Sequence, residues 1–173
     1  MSARNVARSS SAAAPANNLR PSEARLDDVD LAILEALADD ARMPNNALAD
    51  LVGIAPSTCL ARVRSLRERQ VVRGFHADID PGLTGRPIQA IVAVRIQGEA
   101  RTRLGDLLEE LARLPGVLNV YLLGGAHDFF VHVAAPSTES LRHFVLDNLS
   151  GTADVAVTET NLIFQHVQSH RVG

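Results

Sequence analysis

Residues 44–75, PNNALADLVGIAPSTCLARVRSLRERQVVRGF, constrain the fold of this chain more than any other stretch. Gly53 stands where a helix must stop, because glycine enters the left-handed C′ conformation without a steric cost. Pro56 suits the first position of a new helix, where its missing N–H is no loss. Two short helices joined by a tight turn are predicted. The second carries Arg62, Arg64, Arg67 and Arg69, with Arg73 just beyond its end. Helix, turn, basic helix is the arrangement that sets a rod of side chains into the DNA major groove.

An Arg-rich helix is also what an ordinary solvated face looks like, so the distribution of charge matters. Residues 55–75 hold five Arg against one acid, Glu68, whereas residues 76–173 hold seven Arg against eleven acids and the whole chain carries −3. A positive patch on an acidic protein is what attraction to phosphate requires.

The flanking pattern completes a three-helix unit. Leu26, Val29, Ile33, Leu34 and Leu37 mark one helical face, with Asp27, Asp28 and Asp30 in the first turn, where the helix dipole favours negative charge. Asn45 is the expected N-cap of the next helix, with Leu48, Leu51 and Val52 inward. On the third helix Cys59, Val63 and Leu66 face inward, which leaves Ser57, Thr58, Ala61, Arg62, Arg64 and Arg67 on the open side. Residues 71–79 have β character and are expected to form a wing, and Asp80-Pro81-Gly82 marks a hinge.

From residue 88 the hydrophobic period changes. Ile88, Ala90, Val92, Val94 and Ile96 predict a strand with one buried face, and Leu104, Leu107, Leu108 and Leu111 an amphipathic helix. VLNVYLLGG and DFFVHVAA read as a hairpin, Ser137 caps a second helix ended by Gly151, and DVAVTETNLIF is a last strand. The order is βαββαβ, the ferredoxin-like split unit. Its two helices cover one sheet face, and the other is expected to be bare, bearing Val and Leu, which favours a dimer or larger assembly.

The expected division is a disordered tail over 1–22, a winged helix-turn-helix over 23–75, a β linker over 76–87, the ferredoxin-like domain over 88–168 and a tail over 169–173. No apolar run approaches the about 18 residues of a membrane span. No secretory segment follows Met1, so a cytoplasmic protein without a membrane partner is expected. Cys59 is the one cysteine, so no intrachain disulfide or thiolate metal site is expected. No catalytic residue, metal site or cofactor is expected in this chain.

The segment LDDVDLAILEALADDARMPNNALADLVGIAPSTCLARVRSLRERQVVRGFHADIDPGLTG, continued by LPGVLNVYLLGGAHDFFVHV and TETNLIF, closely resembles the Lrp/AsnC, or feast/famine, transcription regulators over roughly residues 26–167. The resemblance implies an α+β protein: a winged DNA-binding domain, then a ferredoxin-like (RAM-type) domain that dimerises and senses a small molecule. It further implies an amino-acid effector and assembly beyond the dimer, often to octamers. By resemblance the effector segments are Gly124, Gly125, His127 and Asp128 in the central turn, and Thr158 and Thr160 in the last strand. The chemistry suits an amino acid, since turn N–H groups hold a carboxylate and Asp128 or the hydroxyls an ammonium. Glycine turns and alternate Thr are also ordinary hairpin and strand chemistry. Two departures stand out: His127 replaces the aromatic residue many relatives carry before the Asp, and Ala55 replaces the usual Ser or Thr cap of the basic helix, with Ser57 as a cap one register later.

The leading reading is a sequence-specific regulator that uses Ser57, Thr58, Ala61, Arg62, Arg64, Arg67 and Arg73 on double-stranded DNA. Two others compete. Sirohaem decarboxylases share a similar two-domain layout, but the six His here are scattered and only His127-Asp128 forms an adjacent acid–base pair. A small-molecule sensor whose helical domain contacts protein is the other, and the dense Arg helix argues against it.

Overall fold

The computed structural model describes residues 25–167. The expected tails, 1–22 and 169–173, lie outside the described residues. Helix α1 (Asp28–Asp39) begins with a reciprocal capping box: Asp27 accepts the Asp30 N–H at 2.8 Å and Asp30 accepts the Asp27 N–H at 3.5 Å. Helix α2 (Asn45–Val52) ends at Gly53, whose φ of +71° is the left-handed cap the sequence demands. Helix α3 (Pro56–Glu68) starts at Pro56 as predicted. Ile33, Ala36, Leu37, Leu48, Ala49, Cys59 and Leu66 form the buried centre of this helical unit.

Several local expectations are corrected. Asn45 is the first helical residue and does not cap α2. Its amide donates instead to the Pro56 carbonyl at 2.9 Å, tying the start of α2 to the start of α3. No side chain caps α3, so Ser57 does not stand in for the Ala55 departure. Leu51 is 65% exposed, because Leu48, Ala49 and Val52 set the buried stripe and Leu51 falls to its side. The wing is not a strand. Val71 and Val72 direct their N–H groups to the Leu66 carbonyl at 2.9 and 3.1 Å and pack on the helical core, and residues 73–80 carry no ladder. An extended segment has β character only when a neighbour accepts its hydrogen bonds.

The second unit follows the expected order. Strand β1 (Ile88–Ile96) leads through a 3₁₀ turn (Glu99–Arg103) into α4 (Leu104–Ala112), then β2 (Val117–Leu122) and β3 (Phe129–Ala135). Helix α5 (Thr138–Val145) is capped by Ser137, which accepts the Ser140 N–H at 3.1 Å, and runs into a π turn (Leu146–Ser150) before β4 (Val155–Leu162). The sheet order is β2-β3-β1-β4 and every pairing is antiparallel. Gly116 turns the chain into β2 at φ +91°, and its carbonyl accepts the Ala134 N–H at 2.8 Å.

Val92, Val94, Phe129 and Val131 are fully buried beneath Leu107, Leu111, Leu141 and Leu149. Each such side chain contributes about 1.5–3 kcal/mol on leaving water. The opposite face is uncovered but is not the Val and Leu surface the sequence predicts. It bears Ile91, Ala93, Tyr121, Phe130 and Val157, with Arg95, Glu159 and Asn161 among them, and is crossed by a polar group in which His132 Nε2 lies 3.0 Å from Gln89 Oε1 and His132 Nδ1 lies 3.5 Å from Asn119 Nδ2.

Candidate DNA-contact helix and effector loop

The buried stripe of α3 orients everything else on it. Cys59 and Leu66 point into the core, so Ser57, Thr58, Ala61, Arg64 and Arg67 are exposed. Arg73, beyond the helix, is exposed too. Arg64, Arg67 and Arg73 border one surface hollow of about 440 Å³, shared with Gln70. The Arg67 guanidinium lies 5.9 Å from the centre of the Phe75 ring, a cation–π contact that limits its rotamers. Burial pushes the Cys59 thiol above its ordinary pKa, which keeps it protonated and unreactive.

Arg62 departs from the expected set. Its Nη1 lies 2.8 Å from Asp30 and 2.8 Å from Asp27, so the side chain turns back to α1 and away from the open face. The Asp27 carboxyl is held below its ordinary pKa first by the Asp30 N–H and then by Arg62. Arg62 is pushed up in turn by Asp30 and Asp27. Spacing along one helix cannot show this, because its cause lies on a different helix. Gln70 is a further member that no sequence signal marks. It adopts φ +59° at the end of α3 and enters the hollow. A left-handed conformation there is uncommon for Gln.

The segments assigned to an effector lie on either side of Val94. The Asp128 N–H donates to the Val94 carbonyl at 2.9 Å, and Thr158 of β4 pairs with Val94 from the other edge. Thr160, paired with Val92, borders a groove of about 350 Å³ with Leu141, Arg142 and Leu146. Gly124 and Gly125 have open space where a side chain would stand, and neither adopts positive φ, so what glycine provides there is access to the backbone. His127 is half-buried with its ring 6.0 Å from that of Phe130.

Asp128 is buried and already engaged. It accepts the Ile96 N–H at 2.8 Å and pairs with Arg101 at 3.3 Å. Its first task is to close the loop onto β1, helped by Arg95, which donates to the Ala126 carbonyl at 3.2 Å. Arg101 joins this site without any motif to announce it, since it sits in a turn whose path only the fold defines. Burial, and then the nearby His166, hold the His132 pKa below its ordinary value.

Among the described residues no group of three His, Cys, Asp or Glu is placed to hold a metal ion, and no helix is long and apolar enough to cross a membrane.

Comparison with known proteins agrees with this geometry. Residues 26–67 match the AsnC-type helix-turn-helix domain, and residues 89–172 match the Lrp/AsnC ligand binding domain. The chain is 53% identical over 156 residues to the HTH-type transcriptional regulator AldR of Mycobacterium tuberculosis, covering 90% of this chain and 86% of that protein. It is 52% identical to AldR of Mycolicibacterium smegmatis, covering 83% and 84%. The crystal structure of the M. tuberculosis AldR superposes with a TM-score of 0.69 at 50% identity, over 83% of this chain and 98% of that one. A Neisseria meningitidis transcriptional regulator in complex with L-Met superposes with a TM-score of 0.75 at 26% identity, over 84% and 94%. A basic helix-turn-helix joined to an antiparallel βαββαβ domain, matched along most of its length by named regulators, places this chain in the Lrp/AsnC family of transcriptional regulators.

Proposed function

We propose that the chain binds its operators sequence-specifically through the outer face of α3 and that an amino acid modulates this binding. The observation that carries the DNA reading is the set Arg64, Arg67 and Arg73, exposed around one hollow and making no ion pair among the described residues. Unpaired guanidinium groups on one rod meet phosphates and the acceptor edge of guanine. Ser57, Thr58 and Ala61 are exposed beside them, near base edges in a groove-bound pose. Arg62 serves this function by fixing the angle of α3 against α1.

The amino-acid reading is supported by the loop of Gly124, Gly125, His127 and Asp128, across β1 from Thr158 and Thr160, and by the Neisseria relative whose structure is an L-Met complex. A second copy of the chain is the proposed cover for Phe130, Tyr121 and Val157 on the open face, giving a dimer able to span two half-sites about one helical turn apart. Association of such dimers into an octamer is part of the same reading.

Selection of bound fragments from a genomic pool tests the DNA reading, and failure to enrich any sequence ends it. A thermal-shift screen of the proteinogenic amino acids tests the effector, since a ligand held only by the folded state raises the melting temperature. At least one should raise it, and Thr158→Val should remove the shift. A flat screen refutes amino-acid sensing.

A further inference from the structure

His132 stands on the open face of the sheet, yet it is only 9% exposed. Its two ring nitrogens have different partners. Nε2 lies 3.0 Å from Gln89 Oε1, an acceptor, so Nε2 carries the hydrogen. Nδ1 lies 3.5 Å from Asn119 Nδ2, a donor, so Nδ1 keeps its lone pair. That arrangement suits the neutral imidazole. A second proton, on Nδ1, would set N–H against N–H unless the Asn119 amide turned over. No carboxylate waits to receive such a charge. The strands place Arg95 of β1, the Tyr121 phenol of β2 and Glu159 of β4 on this face, and Glu159 stands two strands away from His132. Beyond β4, His166 brings its ring centre to 6.3 Å from that of His132, and His127 lies 6.0 Å from Phe130 of the same face. Imidazolium groups this close repel one another. His132 makes no ion pair among the described residues.

We infer that the joining of two copies through this face is switched by pH, with protonation of His132 releasing one copy from the other. This rests on the reading that a second copy covers the face. The face suits a copy of itself, because it carries one cation, Arg95, and one anion, Glu159, which a twofold axis can set against each other. Covering it excludes water from the Gln89–His132–Asn119 group, and a charge placed there then lacks both solvent and a counter-ion. In the single chain burial, and then His166, already hold His132 below its ordinary 6.5. A covering layer removes the remaining water and lowers it further. Separated copies therefore take up protons first on acidification. Self-association is full above about pH 6.5 and is lost as pH falls. Each pair holds two such imidazoles, so linkage caps the change in dissociation constant at about a hundredfold per pH unit. Neutral His132 keeps the regulator paired, and acid separates the two DNA-reading units.

Sedimentation equilibrium of the full chain at about pH 7.5 and about pH 5.5, at constant ionic strength, tests this, with circular dichroism following the fold at both. The dissociation constant of the dimer should rise at least about tenfold at the lower pH while the helical signal stays. His132→Gln keeps an amide between Gln89 and Asn119 and should hold the change below about twofold. Asn119→Asp sets a carboxylate beside Nδ1, which holds the added proton, and should abolish or reverse the change. A chain that is monomeric at both pH values overturns the second-copy reading and this inference with it. A dimer whose constant does not change overturns the inference alone. So does an undiminished response in His132→Gln, or dissociation that accompanies loss of the helical signal, since unfolding would then separate the copies. If His132→Gln does not pair at all, Asn119→Asp decides, and acid dissociation retained there overturns the inference.

Discussion

Arg62 Nη1 lies 2.8 Å from an Asp30 carboxylate oxygen thirty-two residues earlier in the chain, and the Asp30 side chain is only 9% exposed. The same nitrogen touches Asp27, whose carboxylate caps α1. One guanidinium thus joins the N-terminus of the first helix to the middle of the third. Removing it strands a buried carboxylate, which is strongly destabilising in general. Arg62→Met should lower the melting temperature of the helical unit and weaken operator and non-specific DNA alike, because the angle of α3 changes for both. Thermal melts and parallel gel shifts check this. An unchanged melting temperature with weakened operator binding alone would return Arg62 to the DNA face.

Arg64 and Arg67 should behave in the opposite way. Each is exposed, so Arg64→Ala and Arg67→Ala should leave the melting temperature unchanged and weaken DNA binding. If the contact is to a phosphate, the slope of log affinity against log salt falls by about 1 for each. If it is to a base, specificity relaxes at one position and affinity falls by about 1–3 kcal/mol. Titration at several salt concentrations separates the two.

Glycine is required at two turns to different degrees. A Cβ on Gly53 meets open space, so Gly53→Ala carries only the left-handed strain of about 1–2 kcal/mol. A Cβ on Gly116 would stand 2.8 Å from the Ala134 carbonyl oxygen at φ +91°, so Gly116→Ala should be the more damaging. Urea unfolding followed separately for the two units measures both. Equal effects would show that the close approach of Gly116 to Ala134 does not govern β2–β3 pairing.

His132 gives the fold a pH dependence with a defined sign. Its folded pKa is lowered below the ordinary 6.5, first by burial and then by His166. The unfolded chain therefore takes up the proton first on acidification. The associated stability is fully present above about pH 6.5 and is lost as pH falls through the lowered folded value. Melting temperatures from about pH 8 to about pH 5 should decline less steeply in His132→Gln. Identical profiles would show that His132 is not the group responsible.

Period and punctuation made most of the fold legible. Gly53, Pro56, Ser137 and Gly151 mark ends that depend on one residue's own backbone or side chain, and each acts where the sequence places it. The alternation in residues 88–96 sets the buried face of β1, because a strand's side chains can only alternate. What escaped were contacts whose second partner is distant in sequence. Arg62 faces Asp27 and Asp30, Asn45 reaches Pro56, and Asp128 binds the Ile96 N–H and Arg101. In each case the residue type announces a polar role, and only the fold selects the partner. The wing failed for a related reason, since extended backbone becomes a strand only beside another.

The Gln89–His132–Asn119 group crosses three strands of the open sheet face, between apolar residues such as Ile91 and Phe130. A uniformly oily surface lets a companion slide at little energetic penalty, whereas a polar row must be met by water or by matching donors and acceptors. Any layer laid on this face therefore has one favoured alignment, and a displaced one would strand a half-satisfied imidazole in a dry seam.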